Sequence, residues 1–334
     1  MNVLKTFVNI LNAIKCKEKE VAMKDFIGHQ RIIKNIIDLI KADKISHAHI
    51  IVGENGLGKS NIARFSAINI LGKEDFKDYA DIKQYRILNN KKSISVDQVR
   101  QIIEETNKKP YEGTRKVIIL HDADKMTTQA QNAFLKTIEE PPRGVFIFLL
   151  CENVENILDT IISRCQVHKL RRLSDEEIIK FIKNRYQDIE EIKLKAVKAF
   201  CNGVPGRAER FMEDSIFIAL RSDVMKIMLD IKEVKLQSFL NYEAVLTIYK
   251  EQWKETMLCF LSYIRDIMIY KETGNEELIV NLDKLEHIKH LAGTFSFNML
   301  KEFVNIINET RINLESNVNS AMSYHIMLIK MYGI

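Results

Sequence analysis

One stretch of eight residues, Gly53–Ser60, restricts what this chain can fold into more than any other. It reads Gly-Glu-Asn-Gly-Leu-Gly-Lys-Ser and matches the pattern G-x-x-x-x-G-K-[ST] at every fixed position. The apolar run His47–Val52 before it is typical of a buried strand, and a helical pattern that ends before Gly72 follows it. Strand, glycine loop and helix in this order place backbone N–H groups and the positive end of a helix around one anion. The stretch therefore predicts a site for the phosphates of a nucleotide, and we call it the phosphate loop.

The residue types in the phosphate loop predict what each contributes. Lys59 is expected to reach the β- and γ-phosphates, and the hydroxyl of Ser60 is expected to hold Mg²⁺. The glycines allow the backbone to curl closely around the phosphates. The predicted cofactor is ATP or ADP with Mg²⁺, and the residues predicted to bind it are Gly53, Asn55, Gly56, Leu57, Gly58, Lys59, Ser60 and Asn61.

The placement of glycine and proline divides the chain into two parts. Nine of the 12 glycines and all 4 prolines lie at or before Gly206. The front is therefore expected to be rich in loops and to alternate strands with helices, whereas the back should be helical. At 334 residues the chain is long enough for two or three domains, each with a core of its own.

Continuous apolar runs in the front part indicate buried parallel strands. Lys116–Leu120 and Val145–Leu150 are such runs, and a shorter strand is predicted around Tyr85–Leu88. Helices are predicted between and after these strands. Their starts carry Ser or Thr three residues before Gln or Glu, the pattern of a capping box: Ser95 with Gln98, Thr128 with Gln131, and Ser174 with Glu177. This alternation predicts a doubly wound α/β domain that contains the phosphate loop.

Beyond this domain the pattern becomes helical. A segment that opens at Ser174 and closes at Gly203–Gly206 is too small for a full domain, and it is predicted to form a helical lid. Apolar stripes at helical spacing follow around Trp253 and Leu300, and they predict an all-α bundle. The predicted domains are residues 23–170 for the α/β domain, 171–213 for the lid and 214–334 for the bundle.

Residues 1–22 precede this pattern and carry an apolar stripe from Val3 to Ile14, followed by a charged run. Such a stripe suits a helix on a membrane surface, a helix that packs on the protein, or an unstructured leader upstream of a start at Met23. The second and third interpretations are favoured. The sequence assigns this amphipathic leader no role.

The residue expected to hold Mg²⁺ opposite the phosphate loop is unusual. A hydrolytic site requires a carboxylate at the end of a neighbouring strand, to hold Mg²⁺ and orient the attacking water. After Lys116–Leu120 the chain instead has His121 and then Asp122. Neutral imidazole is a poor ligand for Mg²⁺, which prefers oxygen, and Asp122 projects from one residue further along. Nucleotide binding is expected to survive this change. Hydrolysis is not, unless Asp122 shifts to complete the magnesium site.

Charge and cysteine content argue against several classes of protein. The net charge of +5 permits a nucleic-acid partner without arguing for one. The 5 cysteines are scattered without a C-x-x-C pair, which argues against disulfides and structural zinc and for a reducing cytoplasm. No apolar run approaches the length of a membrane span, so no membrane partner is expected. No cluster of paired carboxylates suits two-metal nucleotidyl transfer, so polymerase activity is not expected either.

Several motifs occur in one order and together carry a family resemblance. After the phosphate loop come Lys116–Met126, then Ala133–Pro142 with its Glu-Glu-Pro-Pro end, then the triplet Ser163-Arg164-Cys165, then Gly203–Arg207. In this order they resemble the clamp-loader branch of the AAA+ ATPases, strongly over residues 23–215 and more loosely over the helical C-terminus. The triplet and the Glu-Glu-Pro-Pro helix end are specific to this branch, whereas the phosphate loop is not.

Within that branch the chain is most similar to the non-motor delta-prime subunits of the bacterial DNA polymerase III clamp loader, because His121-Asp122 replaces the Asp-Glu pair of motor subunits. The resemblance implies that Arg164 acts in trans as an arginine finger in the ATP site of an adjacent motor subunit. It implies that Arg207 is a lid arginine that senses this chain's own nucleotide. The expected partners are the gamma/tau motor and delta subunits of a cytoplasmic hetero-pentamer, held together by the bundle as a collar. The sliding clamp and primed DNA are reached through that complex.

Two departures from the family pattern bear on function. Residues 73–95 contain no cysteine, so the four-cysteine zinc module of many relatives is not expected, and Glu152 stands where a motor subunit has Thr. The expected function is therefore that of a clamp-loader subunit without independent catalysis. Three alternatives remain open: a gamma/tau-like motor subunit, a free-standing AAA+ remodelling ATPase in which Arg164 serves copies of the same chain, and a structural subunit whose phosphate loop stays empty.

Overall fold

The computed structural model of the protein describes residues 27–88, 91–316 and 318–334. The predicted leader at residues 1–22 lies outside the described residues. The chain divides into two compact units. The first comprises the described residues up to Phe181 together with Val204–Gly206, and the second comprises Ile182–Gly203 and Arg207–Ile334.

A parallel sheet forms the centre of the first unit. Its strands are β1 (Ala48–Val52), β2 (Ile82–Tyr85), β3 (Lys116–Leu120), β4 (Val145–Cys151) and β5 (Gln166–Lys169). Their order in space is β2-β3-β4-β1-β5. The accompanying helices are α1 (Gln30–Lys41), α2 (Lys59–Ile70), α3 (Val96–Asn107), α4 (Thr128–Glu139) and α5 (Asp159–Ile162).

Both faces of the sheet are buried. Every residue of β3 is buried, and its residues alternate between two apolar clusters: Ile118 and Leu120 belong to one, Val117 and Ile119 to the other. Burial on both faces explains why the central strands are continuous apolar runs. The predicted α/β domain with a parallel sheet and flanking helices is confirmed. Because the strands are parallel, the carboxyl ends of β1, β3 and β4 meet at one edge of the sheet.

The edge strands differ from the sequence prediction. The strand expected around Tyr85–Leu88 ends at Tyr85 and begins earlier, at Ile82. Asp81 fixes this start, because its carbonyl accepts from the N–H of Val117 at 2.8 Å and its carboxylate accepts two N–H groups of the loop before β3. The other edge strand, β5, reads Gln-Val-His-Lys and carries no apolar run that predicts it.

The predicted helix starts are largely present. Ahead of α6 (Asp175–Arg185), Ser174 and Glu177 exchange both bonds of a capping box, at 3.2 and 2.9 Å. At α3, Ser95 accepts the N–H of Gln98, but the side-chain amide of Gln98 donates to a loop carbonyl instead of returning to the cap. Helix α4 is capped by Thr127, one residue before the predicted threonine.

The second unit is helical, which confirms the predicted bundle. Two helices, α6 and α8 (Pro205–Glu213), contribute residues to both units. The helices that lie wholly in the second unit are α7 (Glu191–Cys201), α9 (Ser215–Asp230), α10 (Leu236–Phe239), α11 (Tyr242–Ile248), α12 (Trp253–Thr273), α13 (Leu285–Thr294), α14 (Phe297–Glu315) and α15 (Ser320–Tyr332). One large apolar cluster, which includes the fully buried Tyr263 and Tyr324, holds this unit together. The finer division into a lid (171–213) and a collar (214–334) stays a prediction. Across the described part of the chain, no helix has the length and apolar character that crossing a membrane requires.

Candidate nucleotide-binding site

The phosphate loop connects β1 to α2 at the carboxyl edge of the sheet. Gly56 and Gly58 have φ values of 88° and 92°, in the left-handed region that favours glycine. Gly58 is the N-terminal cap residue of α2, so the free N–H groups of this 12-residue helix open onto the loop. Leu57 is buried against the sheet and anchors the loop, while Asn55 is exposed. The loop therefore has the backbone that an anion-binding site requires.

Lys59 lies within this loop. Its Nζ donates to the carbonyl of Gly53 at 2.5 Å and to the carbonyl of Glu54 at 3.1 Å, with a weaker contact to Oδ1 of Asn55 at 3.4 Å. Burial lowers the pKa of Lys59, and the nearby Glu152 is the strongest of the groups that oppose this effect. The ammonium group thus lies among acceptors that a phosphate can replace.

His121, at the end of β3, contacts Ser60. Its Nε2 lies 3.0 Å from Oε1 of Gln84, and its Nδ1 lies 3.4 Å from Oγ of Ser60. An amide oxygen only accepts, so Nε2 carries the proton and Nδ1 accepts from the Ser60 hydroxyl. Burial, followed by the positive charge of Arg86, lowers the pKa of His121 to about 4. At neutral pH the imidazole is uncharged, and it presents a nitrogen where Mg²⁺ prefers an oxygen.

Asp122 has a left-handed backbone, with φ of 51°, and Oδ1 of its carboxylate accepts from Nζ of Lys125 at 3.3 Å. It is close enough to act on the pKa of Lys59, although less strongly than Glu152 or Asp124. Asn61 lies in the first turn of α2 and is exposed. Within the described residues, no group of three or more His, Cys, Asp or Glu side chains is arranged to hold a metal ion. The helix N-terminus and Lys59 fit the phosphates of a nucleotide, whereas the neutral nitrogen of His121 beside Ser60 is a poor ligand for Mg²⁺.

Sequence reasoning missed Asp124. Its Oδ2 accepts from the backbone N–H groups of Glu152 and Asn153, at 3.3 and 3.2 Å, and so ties the end of β4 to the segment after β3. Its Oδ1 is buried and has no hydrogen-bond partner among the described residues. Because these bonds join distant segments, no local sequence pattern marks the residue.

The segment Val204–Gly206 lies directly on the phosphate loop. The N–H of Gly206 donates to the carbonyl of Gly56 at 2.9 Å. A Cβ atom on Gly206 would lie 2.6 Å from Cα of Gly56, and one on Gly56 would lie 3.0 Å from Cγ1 of Val204. Both positions therefore require glycine. The next residue, Arg207, lines a cavity of about 330 Å³ within the second unit, together with Phe200 and other residues. Its predicted role as a nucleotide sensor stays a prediction.

Arg164 lies between α5 and β5. Its side chain is 36% exposed and forms an ion pair with Glu139 at 3.2 Å. Its Nη1 donates to the carbonyl of Thr160 at 2.9 Å. Burial raises the pKa of the neighbouring Cys165 to about 12, which leaves that thiol protonated and unreactive. Arg164 is thus the exposed, charged member of the Ser-Arg-Cys triplet.

Comparison with known proteins identifies relatives over most of the chain. Family models described as "DNA polymerase III, delta subunit" and "DNA polymerase III, delta subunit, C terminal" match residues 28–174 and 217–331. DNA polymerase III subunit gamma of Buchnera aphidicola subsp. Acyrthosiphon pisum is 28% identical over 84% of this chain and 80% of the relative. DNA polymerase III subunit delta' of Bacillus subtilis is 27% identical over 91% of this chain and 96% of the relative. Among solved structures, the chain is similar to a gamma subunit-related protein of Thermotoga maritima, with a TM-score of 0.50 and 17% identity. The match covers 90% of this chain and 98% of the Thermotoga chain, and it supports the fold alone.

The contact between Gly206 and Gly56 can be tested by one methyl group. Gly206→Ala is expected to weaken the binding of a fluorescent ADP analogue by about tenfold or more, because the phosphate loop must shift to relieve the clash. Gly293→Ala is the matched control, since Gly293 lies in α13 with open space around it and alanine favours a helix. Unchanged affinity in a well-folded Gly206→Ala protein would show that this contact does not shape the site.

Proposed function

We propose that this chain, which matches family models of the DNA polymerase III delta subunit over residues 28–174 and 217–331, serves the DNA polymerase III clamp loader as a non-motor subunit of the delta-prime type. In this role it binds a nucleotide without hydrolysing it, and it completes the ATP site of a neighbouring motor subunit with Arg164. The assembled loader places the sliding clamp on primed DNA. One observation carries the non-motor part of the proposal: a neutral His121 lies against Ser60 where a carboxylate is required for hydrolysis.

Binding and hydrolysis make different demands on this site. Binding uses the N–H groups at the start of α2, the ammonium of Lys59 and the curled backbone of the phosphate loop. Hydrolysis also requires oxygen ligands for Mg²⁺ and a base that orients water. His121 accepts the Ser60 hydroxyl and so holds it in one orientation, but it adds neither negative charge nor oxygen. The chain's own residues therefore favour retention of ATP or ADP over turnover.

Magnesium, when bound with a nucleotide, neutralises phosphate charge. In this chain Ser60 would hold it, and Asp122, which directly follows His121, is the carboxylate that would assist. The ion pair between Asp122 and Lys125 occupies one carboxylate oxygen. Zinc forms no part of the proposal.

The position of Arg164 supports the proposal that this chain completes the ATP site of a neighbouring motor subunit. A guanidinium that acts on a neighbour's nucleotide must be exposed and must keep N–H groups free for phosphate oxygens. Arg164 meets the first requirement at 36% exposure. The charge that it supplies would stabilise the negative charge that develops when the neighbouring motor subunit cleaves ATP.

The proposed partners follow from the same assignment. They are the gamma/tau-type motor subunits and the delta subunit of a cytoplasmic hetero-pentamer, with the clamp and primed DNA reached through that complex. The helical second unit is proposed to supply the collar through which the subunits associate. The relatives of the chain include delta' and gamma subunits of DNA polymerase III, which supports membership of such an assembly.

A gamma/tau-like motor subunit is the second candidate. It is favoured by the similarity to a gamma subunit, which is as high as the similarity to a delta' subunit. It requires that Asp122 leave Lys125 and complete the magnesium site. No comparable observation favours a free-standing remodelling ATPase.

The trans role of Arg164 predicts a specific loss. Arg164→Ala is expected to lower ATP turnover of the loader, reconstituted with its motor and delta subunits, by at least about tenfold, because removing an arginine finger costs far more than this in related phosphoryl-transfer systems. Size-exclusion chromatography should show normal assembly. Arg171→Ala, at another exposed arginine, should turn over ATP normally. Normal turnover in assembled Arg164→Ala loader would refute the finger.

The identity of residue 121 predicts how nucleotide binding responds to magnesium. In the natural chain, ADP affinity should be nearly equal with Mg²⁺ and with EDTA. His121→Asp, which introduces an oxygen ligand beside Ser60, is expected to make binding about tenfold tighter with Mg²⁺ than without. Isothermal titration calorimetry measures both values. A strong magnesium response in the natural chain that Asp122→Asn abolishes would instead favour the motor subunit.

A further inference from the structure

The guanidinium of Arg164 is held on one side by neighbours within its own chain. Its Nη2 donates to Oε1 of Glu139 at 3.2 Å, and its Nη1 donates to the carbonyl of Thr160 at 2.9 Å. A longer contact of 3.5 Å joins Nη1 to Oγ of Ser163. A guanidinium has five N–H groups, and these three contacts use at most three of them. At least two N–H groups therefore remain that no described residue contacts, and these are available to an anion outside the chain.

Glu139 is fixed by the end of α4, of which it is the last residue. The following Pro141 and Pro142 cannot continue a helix, so the chain must leave it at this point. The preceding residue, Ile138, is fully buried, and its carbonyl accepts from Nε2 of His47 at 2.9 Å. The backbone that carries Glu139 is therefore anchored, while the carboxylate itself is 53% exposed.

Arg164 is anchored to the same core. Ile161, three residues before it, is fully buried in the apolar cluster that also contains Ile138. Helices α4 and α5 thus share one core, so packing rather than loop motion sets the separation of Glu139 and Arg164. Glu140 differs from Glu139 in this respect. It is exposed, and among the described residues its side chain forms no hydrogen bond or ion pair. Only the first glutamate of the Glu-Glu-Pro-Pro helix end contacts Arg164.

We propose that Glu139 is a positioning residue for Arg164, and this inference rests on the trans role proposed for that arginine. Glu139 restrains one side of the guanidinium and leaves the remaining N–H groups available to the nucleotide of an adjacent subunit. A long arginine side chain loses conformational entropy when it enters a site, and restraining it beforehand reduces that loss. Because the arginine acts in the transition state, the restraint should raise kcat and leave KM unchanged.

The opposite role would be for Glu139 to hold Arg164 back by competing for it. The geometry argues against this. Both side chains are exposed to water, where an ion pair is weak. A triphosphate carries more negative charge than one carboxylate, and it can use N–H groups that Glu139 leaves free. Contact with a nucleotide therefore does not require the pair to break.

The restraint of the Arg164 side chain by Glu139 is measured in the isolated chain, and this measurement needs no activity assay. Nitrogen-15 relaxation of arginine Nε groups reports side-chain mobility, and the Arg164 signal is identified by its loss in Arg164→Ala. Glu139→Gln keeps the size of the side chain but removes its charge, and it is expected to make the Arg164 signal more mobile. Glu140→Gln is the matched control and should leave that signal unchanged. Equal mobility in both variants would overturn the proposal.

The consequence for catalysis is measured in the reconstituted loader. Glu139→Gln is expected to lower kcat for ATP by about two- to fivefold, with KM and assembly unchanged, and Glu140→Gln to have no effect. The loss should disappear in an Arg164→Ala background. If Arg164→Ala has normal turnover, the proposed function fails and this inference with it. If Arg164→Ala is impaired but Glu139→Gln turns over normally, this inference alone fails. A rise in kcat in Glu139→Gln would also overturn it.

Discussion

Burial of both faces of the parallel sheet is the constraint on which the nucleotide site depends. Because β1, β3 and β4 are largely apolar and covered on both sides, the polar side chains of the nucleotide site lie where these strands end. Parallel strands end at the same edge, which brings the phosphate loop, His121 and Glu152 together. The fold therefore fixes which position faces Ser60, and the residue type at that position decides the chemistry.

At the position that faces Ser60, the chain has a neutral, hydrogen-bonded imidazole where a hydrolytic site has a carboxylate. The side chains of Gln84 and Ser60 each form a hydrogen bond with the ring of His121, and burial lowers the pKa of His121 to about 4. The phosphate loop retains its curled backbone and Lys59, which serve binding. Among the described residues, no carboxylate at this edge makes the contact with Ser60 that hydrolysis requires. The proposal is therefore that this site binds a nucleotide without hydrolysing it, and that Arg164 acts on the nucleotide of a neighbouring subunit.

The parts that could be predicted from sequence are those with local signals. The phosphate loop, the apolar runs of β3 and β4 and the capping box at Ser174 each lie within a few residues, so their patterns are visible without a structure. Only one of the two bonds of the capping box predicted at α3 is present, because the side-chain amide of Gln98 donates to the carbonyl of Arg86, 12 residues away.

The remaining features depend on contacts between distant segments. Asp124 binds backbone groups 28 and 29 residues away, and Glu139 binds Arg164 across 25 residues. Strand β5 has no apolar run and is held by pairing with β1. No periodicity in the sequence encodes such contacts, because they arise only when the sheet brings the segments together.

The most direct test of the central claim is phosphate release by the purified chain alone at saturating Mg-ATP, with Lys59→Ala as the blank. No release above that blank is expected, because His121 supplies neither the oxygen ligand nor the charge that hydrolysis needs. Release that disappears with Lys59 would contradict it. That result would mean that Asp122 completes the magnesium site and that the chain is a motor.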